Sequence, residues 1–215
     1  RLPAFSGTIP GDFSSAAYLI AAALLAEHSD LRIEGVNINP TRTGFLRALE
    51  RMGAIVEVED RAESLGEPVG TLIPRTPHPA RRARLAPVTV EPHEIPSMVD
   101  EVPLLACLAS RAGGTSVFRG VGELRVKESN RLALVAKNLV KLGVRAHTEA
   151  DTLWVEGTDR PPRGRVETAG DHRLAMSFAV LGTLSGARVT LDDRGCVAIS
   201  YPSFFTDLGR ILRRA

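Results

Sequence analysis

Cysteine is nearly absent: Cys107 and Cys196 stand alone in a chain of 215 residues. Neither has the spacing of a metal site, and two isolated thiols make no disulfide framework. A reducing, cytoplasmic compartment is therefore expected. Aromatic residues are scarce too, at 5%, which argues against a surface that stacks nucleic-acid bases. Neither sign of charge dominates. Lysine and arginine number 27 against 25 aspartates and glutamates, so no global field draws the chain to nucleic acid or to a membrane surface. The longest apolar run, Ala16 to Ala26, is too short to cross a bilayer. No signal peptide is recognisable, and a start at Arg1 rather than Met points to a piece of a longer polypeptide or a processed product. With 44% hydrophobic residues, the chain can bury a sizeable core as one domain or two small ones.

What is present is a pattern repeated three times. A loop with Pro or Gly and an Asp leads into an Ala/Leu-rich helix and then a short β-like run. The copies are "IPGDFSSAAYLIAAALLAEHSDLRIEGV", "IPSMVDEVPLLACLASRAGGTSVFRGV" and "AGDHRLAMSFAVLGTLSGARVTLDD". A more polar helix follows each: "TRTGFLRALERMG", "KESNRLALVAKNLVKLG" and "SYPSFFTDLGRIL". After the first two come paired strands, "AIVEVED" with "GTLIPR" and "VRAHTEAD" with "TLWVEG". The unit reads β-α-β-α-β-β, over approximately residues 5–75, 86–158 and 164–212, and such repeats decide a fold before local detail does. The first helix of each unit is apolar nearly all round and should be buried. The strands alternate as half-exposed sheets do. The expected class is α/β (α+β), with helices inside and sheets outside, and with the third unit short of its closing strand pair. Pro74 to Pro87 reads as a solvated, arginine-bearing loop between the first two units.

Polar clusters fall at the helix starts: Gly11-Asp12 with Ser14 and Ser15, Asp100-Glu101, Lys127-Glu128 with Arg131, and Asp171-His172-Arg173. The free N–H groups of a helix start attract anions, and Lys127, Arg131 and Arg173 would add to that attraction if the ligand carries phosphate or carboxylate. Lys127 and Arg131, four apart, should share a helical face, while Glu128 and Arg131, three apart, can touch. A carboxylate set among cations can relay protons beside an anionic substrate. Each cluster also has a plainer reading. Glu128 with Arg131 could be a surface ion pair, Asp100 and Glu101 could complement a helix dipole, and Asp12 and Asp171 have the position of N-caps. His172 alone says little. Register lifts the set above its members, because three-fold symmetry would bring these helix starts to one end of the domain.

On these residues the chain resembles the 5-enolpyruvylshikimate-3-phosphate synthase family over nearly its whole length. The matching stretches are "GDFSSAAYLIAAALL", "NPTRTGFLRALERMGA", "VDEVPLLACLAS", "ELRVKESNR", "GDHRLAMSFAV" and "CVAISYPSFF", in the family's order. The resemblance implies two similar domains of three β-α-β-α-β-β units each, the inside-out α/β barrel of the enolpyruvyl transferases. This chain, residues 1–215, would be the single C-terminal one. In the family, the very N-terminal segment of the polypeptide completes this domain. The phosphoshikimate-binding serines and the "GNAGT"-like loop of the other half are missing here.

The implied reaction transfers the enolpyruvyl group of phosphoenolpyruvate to the 5-hydroxyl of shikimate 3-phosphate, by addition and then elimination of phosphate. Asp100 would be the base near that hydroxyl. Glu128 would be the acid near the methylene carbon, and Lys127 would reach both substrates. Arg131 and Arg173 would clamp phosphoenolpyruvate, with His172 beside them and Glu123 at shikimate 3-phosphate. No metal or organic cofactor is implied. Two departures stand out: Ile199 replaces a lysine common near the end of the family's sequences, and Asn130 replaces an aspartate in "KESNR". The competing expectations are the related transferase acting on UDP-N-acetylglucosamine, and a non-catalytic binding module of the same fold. The isolated chain is expected to bind at most, without turnover.

Overall fold

Asp12 starts the first helix: its carboxylate accepts the backbone N–H of Ser15 at 2.7 Å and the Ser15 hydroxyl at 2.8 Å. Such an N-cap satisfies donors that the helix itself cannot. The computed structural model describes residues 6–75 and 84–212. In chain order these form α1 (Phe13–Leu25), β1 (Ile33–Asn37), α2 (Gly44–Arg51), β2 (Ile55–Ser64) and β3 (Glu67–Arg75). There follow β4 (Thr89–Val90), α3 (Val102–Ala109), β5 (Thr115–Phe118), α4 (Arg131–Lys141), β6 (Arg145–Glu149) and β7 (Thr152–Glu156). The last are β8 (Arg163–Val166), α5 (His172–Leu181), β9 (Arg188–Leu191) and α6 (Phe204–Leu212).

The strands fall into three separate hydrogen-bonded panels rather than one continuous barrel: β1-β3-β2, β4-β5-β7-β6 and β8-β9. Within them the same arrangement recurs. β4 runs parallel to β5, β8 runs parallel to β9, and Gly11 makes a parallel bridge to Val36 of β1. In each case the segment entering a buried helix pairs with the strand leaving it. β2 and β3 pair antiparallel, as do β6 and β7, at the strand pairs expected from the sequence. No such pair follows β9 among the described residues.

The buried helices are the three apolar ones. Every residue of α3 is buried, and α1 and α5 are buried at most positions. They pack on one another and their side chains form one continuous core. Leu104, Leu105 and Leu108 are fully enclosed, each contributing about 1.5–3 kcal/mol by leaving water. The other helices are amphipathic. In α4, Leu132, Val135, Ala136 and Leu139 are buried, the spacing of one helical face. α2 and α4 end alike. Gly53 and Gly143 take positive φ angles of 80° and 86°, and Ala54 and Val144 donate back to the carbonyls of Leu49 and Leu139. A glycine in the left-handed region closes a helix in this way without a Cβ clash.

Two expectations need correction. The loop expected over Pro74 to Pro87 begins later, because β3 continues to Arg75; residues 76–83 of it lie outside the described residues. Nor does the helix expected from Lys127 begin there. Residues Gly122–Val126 form a 3₁₀ turn, Lys127 is extended, and α4 starts at Arg131 behind its N-cap Asn130. The Asn130 side chain accepts the N–H of Ala133 at 3.2 Å, a job asparagine does as well as aspartate. Lys127 and Arg131 therefore do not share a helical face.

Candidate active site

The starts of α3, α4 and α5 are brought together at Arg131, and the start of α1 joins them through the contact of Ser14 with Glu101. It is the first residue of α4 and is wholly buried. Its Nε donates to Asp171 Oδ2 at 2.9 Å, its Nη1 to Asp100 Oδ1 at 3.3 Å, and its Nη2 to Glu128 Oε2 and, at 3.3 Å, to Asp171 Oδ1. A buried guanidinium without partners would cost several kcal/mol. The surrounding carboxylates remove that cost. They also offset the unfavourable placement of a cation at a helix start, where the dipole is positive.

Asp171, fully buried, is the N-cap of α5 and accepts the N–H groups of Arg173 at 2.9 Å and Leu174 at 3.3 Å. Ser129 adds its hydroxyl at 2.9 Å. Burial alone would raise the Asp171 pKa. The bonds and charge of Arg131, with Ser129 and the Leu174 N–H, outweigh it and hold the carboxyl below its usual range. Asp100, in a short 3₁₀ turn before α3, bridges two cations: Oδ1 faces Arg131 and Oδ2 meets Arg173 Nη2 at 3.2 Å. The Arg173 side chain keeps 16% exposure, so it can still reach a ligand. Glu128 is 46% exposed and its carboxylate opens to solvent beside the buried Arg131.

Lys127 is turned away from this network. It pairs with Glu123 on the 3₁₀ turn behind it and is a quarter exposed. Asp12 also stays apart, and capping α1 accounts for it. Ile199, at the position where the resemblance implies a lysine, is 69% exposed and brings no charge. Among the named groups, carboxylates outnumber cations: Asp100, Glu123, Glu128 and Asp171 face only Lys127, Arg131 and Arg173. Chemically, the arrangement offers an exposed acid and a half-shielded one, held on different nitrogens of one rigid guanidinium plane, with a second guanidinium at the rim.

His172 is buried next to these groups, and its Nδ1 has no hydrogen-bond partner among the described residues. Burial and the Arg173 charge hold its pKa below the usual 6.5, against the pull of Glu128 and Asp171. The unfolded chain then binds more protons than the folded one below about pH 6.5, so this part of the stability is present above that pH and is lost on acidification. Thermal unfolding of His172→Gln should lack the fall in midpoint between about pH 7 and 5 shown by the parent chain. An unchanged fall would assign it to another group.

Arg42 and Tyr18 were not singled out by the sequence, and Glu101 and Ser14 were named at helix starts without a part in the chemistry. Glu101 is 3% exposed and accepts the Ser14 hydroxyl at 2.5 Å, and Arg42 Nη2 donates to Ser14 Oγ at 3.1 Å. The Tyr18 hydroxyl is buried beside Arg173. For Glu101 one signal was available. It is the last polar residue before a helix that is apolar at every position, so the core begins at its side chain.

Comparison with known proteins meets the same motifs. A family profile described as EPSP synthase (3-phosphoshikimate 1-carboxyvinyltransferase) matches residues 1–208. The 3-phosphoshikimate 1-carboxyvinyltransferase of Lactiplantibacillus plantarum is 45% identical over 206 residues, covering 95% of this chain and 46% of that protein. The enzyme of the same name from Gloeobacter violaceus is 44% identical over 211 residues, covering 98% and 48%. Among solved structures, EPSP synthase from Acinetobacter baumannii superposes with a TM-score of 0.87 at 34% identity, over 94% of this chain and 46% of that one. The enolpyruvyl transferase NikO from Streptomyces tendae, at 24% identity and a TM-score of 0.73, shares the fold. The chain spans about half the length of the relatives it matches. Its motifs, its folded pattern and these matches place it in one group: the chain belongs to the EPSP synthase family.

Proposed function

We propose that this chain supplies one half of a site that transfers the enolpyruvyl group of phosphoenolpyruvate to the 5-hydroxyl of shikimate 3-phosphate, releasing phosphate. The observation that carries this reading is the convergence of Asp100 and Glu128 on separate nitrogens of Arg131. The reaction needs two proton-handling groups at a fixed separation, and one planar guanidinium supplies that spacing. Asp100 takes the hydroxyl proton as the oxygen attacks the central carbon of phosphoenolpyruvate, and Glu128 gives a proton to the methylene carbon. In the elimination Glu128 takes a proton back from that carbon, the carbon–oxygen bond to phosphate breaks, and the proton held by Asp100 passes to the departing phosphate, which restores both carboxyl groups.

Arg131 has its nitrogens on carboxylates and no exposed surface, so its part in this scheme is to space the acid and the base. That differs from the anion clamp expected from the resemblance. Arg173, partly exposed, is the better clamp. Lys127 can turn from Glu123 to an anionic substrate, with Glu123 and His172 flanking the ligand. The excess of carboxylates over cations around Arg131 also favours a second half, because two anionic substrates need more positive charge than these groups supply. The same reading gives the rest of the polypeptide the task of completing the β8-β9 panel. A cytoplasmic setting goes with it, since Cys107 and Cys196 are free and buried.

The test is direct. The purified 215-residue chain, given phosphoenolpyruvate and shikimate 3-phosphate, should release no phosphate, and adding the complementary half should start turnover. Release by the chain alone would overturn the half-site reading.

A further inference from the structure

Glu101 stands out because nothing in the proton chemistry above uses it, yet it is a buried carboxylate next to the candidate base. Asp100 and Glu101 point to different places. The Asp100 side chain keeps 24% exposure and sits between two arginines, whereas Glu101 is 3% exposed. Among the described residues, the one hydrogen-bond partner of its side chain is Ser14, in the first turn of α1. That contact is one end of a relay. Arg42 donates to Ser14 Oγ at 3.1 Å, and Ser14 donates on to Glu101 Oε1 at 2.5 Å. Both bonds point at the carboxylate, the polarity that a buried negative charge selects. Arg42 is exposed and has no carboxylate within ion-pair distance among the described residues.

The charge of Glu101 also favours the protonated guanidinium of Arg173, whose direct ion pair is with Asp100. The groups facing Glu101 are Ser14 and Tyr18 from α1, Arg42 from the turn before α2, Asp100 from its own turn and Arg173 from α5. We propose that Glu101 is a positioning residue: through Ser14 it anchors Arg42, and by its charge it holds Arg173, so that both guanidiniums are set for a phosphate- or carboxylate-bearing ligand. This rests on the proposed function for the identity of the ligand, but not for the geometry. Glu101 would couple two units of the repeat to one anion, with Arg42 providing positive charge from the first unit and Arg173 from the third.

Plain electrostatics and positioning predict opposite signs. Removing a negative charge near an anion site should tighten binding, whereas removing a positioning group should weaken it. Titration of the chain with phosphoenolpyruvate, followed by ³¹P NMR, should show Glu101→Gln binding about tenfold more weakly, the loss of a charge-assisted hydrogen bond. Ser14→Ala should weaken binding in the same direction. Unchanged or tighter binding by Glu101→Gln would overturn the proposal.

A second measurement needs no ligand and no variant to fold. Burial pushes the Glu101 carboxyl up, opposed by the Ser14 bond, so its ¹³C signal should titrate above the ordinary glutamate range. The Arg173 Nε–H signal should move with the same midpoint. If the parent chain fails to bind phosphoenolpyruvate, the ligand assignment falls and this coincidence alone decides: an Arg173 signal indifferent to the Glu101 titration refutes the positioning role.

Discussion

On the proposed function, Glu128→Gln made in the full-length polypeptide lowers turnover by about 10²–10⁴-fold, the range lost with a general acid–base group. The substitution is chosen because it removes little else. Glutamine keeps the length of the side chain, and its amide oxygen can still accept from Arg131 Nη2, the one contact Glu128 makes with the buried network. Glu128 is 46% exposed, so neither the core nor the cap of α4 depends on it. Asp100 keeps its two arginines and Arg173 keeps its rim position. KM for both substrates should therefore stay within a few-fold while kcat falls, the pattern of an interaction used only in the transition state. The plainer reading of Glu128 as an ion-pair partner predicts the reverse, with near-normal kcat and a small change in stability. Steady-state kinetics of the variant beside the parent enzyme separate the two. Near-normal kcat would move the proton chemistry to another residue.

How much of this could be read from the sequence depends on how far along the chain each contact reaches. Asp12 and Asp171 were legible as N-caps because a cap acts within three residues. α1, α3 and α5 were legible as buried helices because each has apolar residues on every face. The hairpins β2-β3 and β6-β7 announced themselves by alternation and short turns. The helical face shared by Lys127 and Arg131 was misjudged because spacing by four assumes a continuous helix. Asn130 caps α4 here and leaves Lys127 outside it. The Arg131–Asp171 and Ser14–Glu101 contacts join residues 40 and 87 positions apart, and no local pattern encodes those. Total burial of Arg131 ran against expectation for a residue that is mostly exposed. It is set by where the repeat brings three helix starts together, which only the folded chain shows.

Arg131→Met destabilises the chain by about 3–5 kcal/mol, the cost of breaking a buried ion pair from one side. Methionine fills much of the same volume, so the loss is chiefly electrostatic. Asp171, fully buried, is left with backbone and Ser129 donors but no counter-charge. Two further measurements tie the deficit to that charge. In the parent chain Arg131 outweighs burial and keeps the Asp171 pKa low, so this group's stability is present above the ordinary aspartate pKa of 3.8 and is lost as pH falls through the lower folded value. In Arg131→Met only Ser129 and the backbone N–H groups still oppose burial, and the Asp171 pKa rises. The folded variant then takes up a proton more readily than its unfolded form, and the deficit should shrink as pH falls toward about 4. A deficit independent of pH would point to lost packing instead. Adding Asp171→Asn to Arg131→Met should recover part of the loss, because asparagine still caps α5 and carries no charge. Denaturant unfolding of the single and double variants gives the coupling energy. If the two substitutions merely added, Arg131 and Asp171 would be neighbours without being partners.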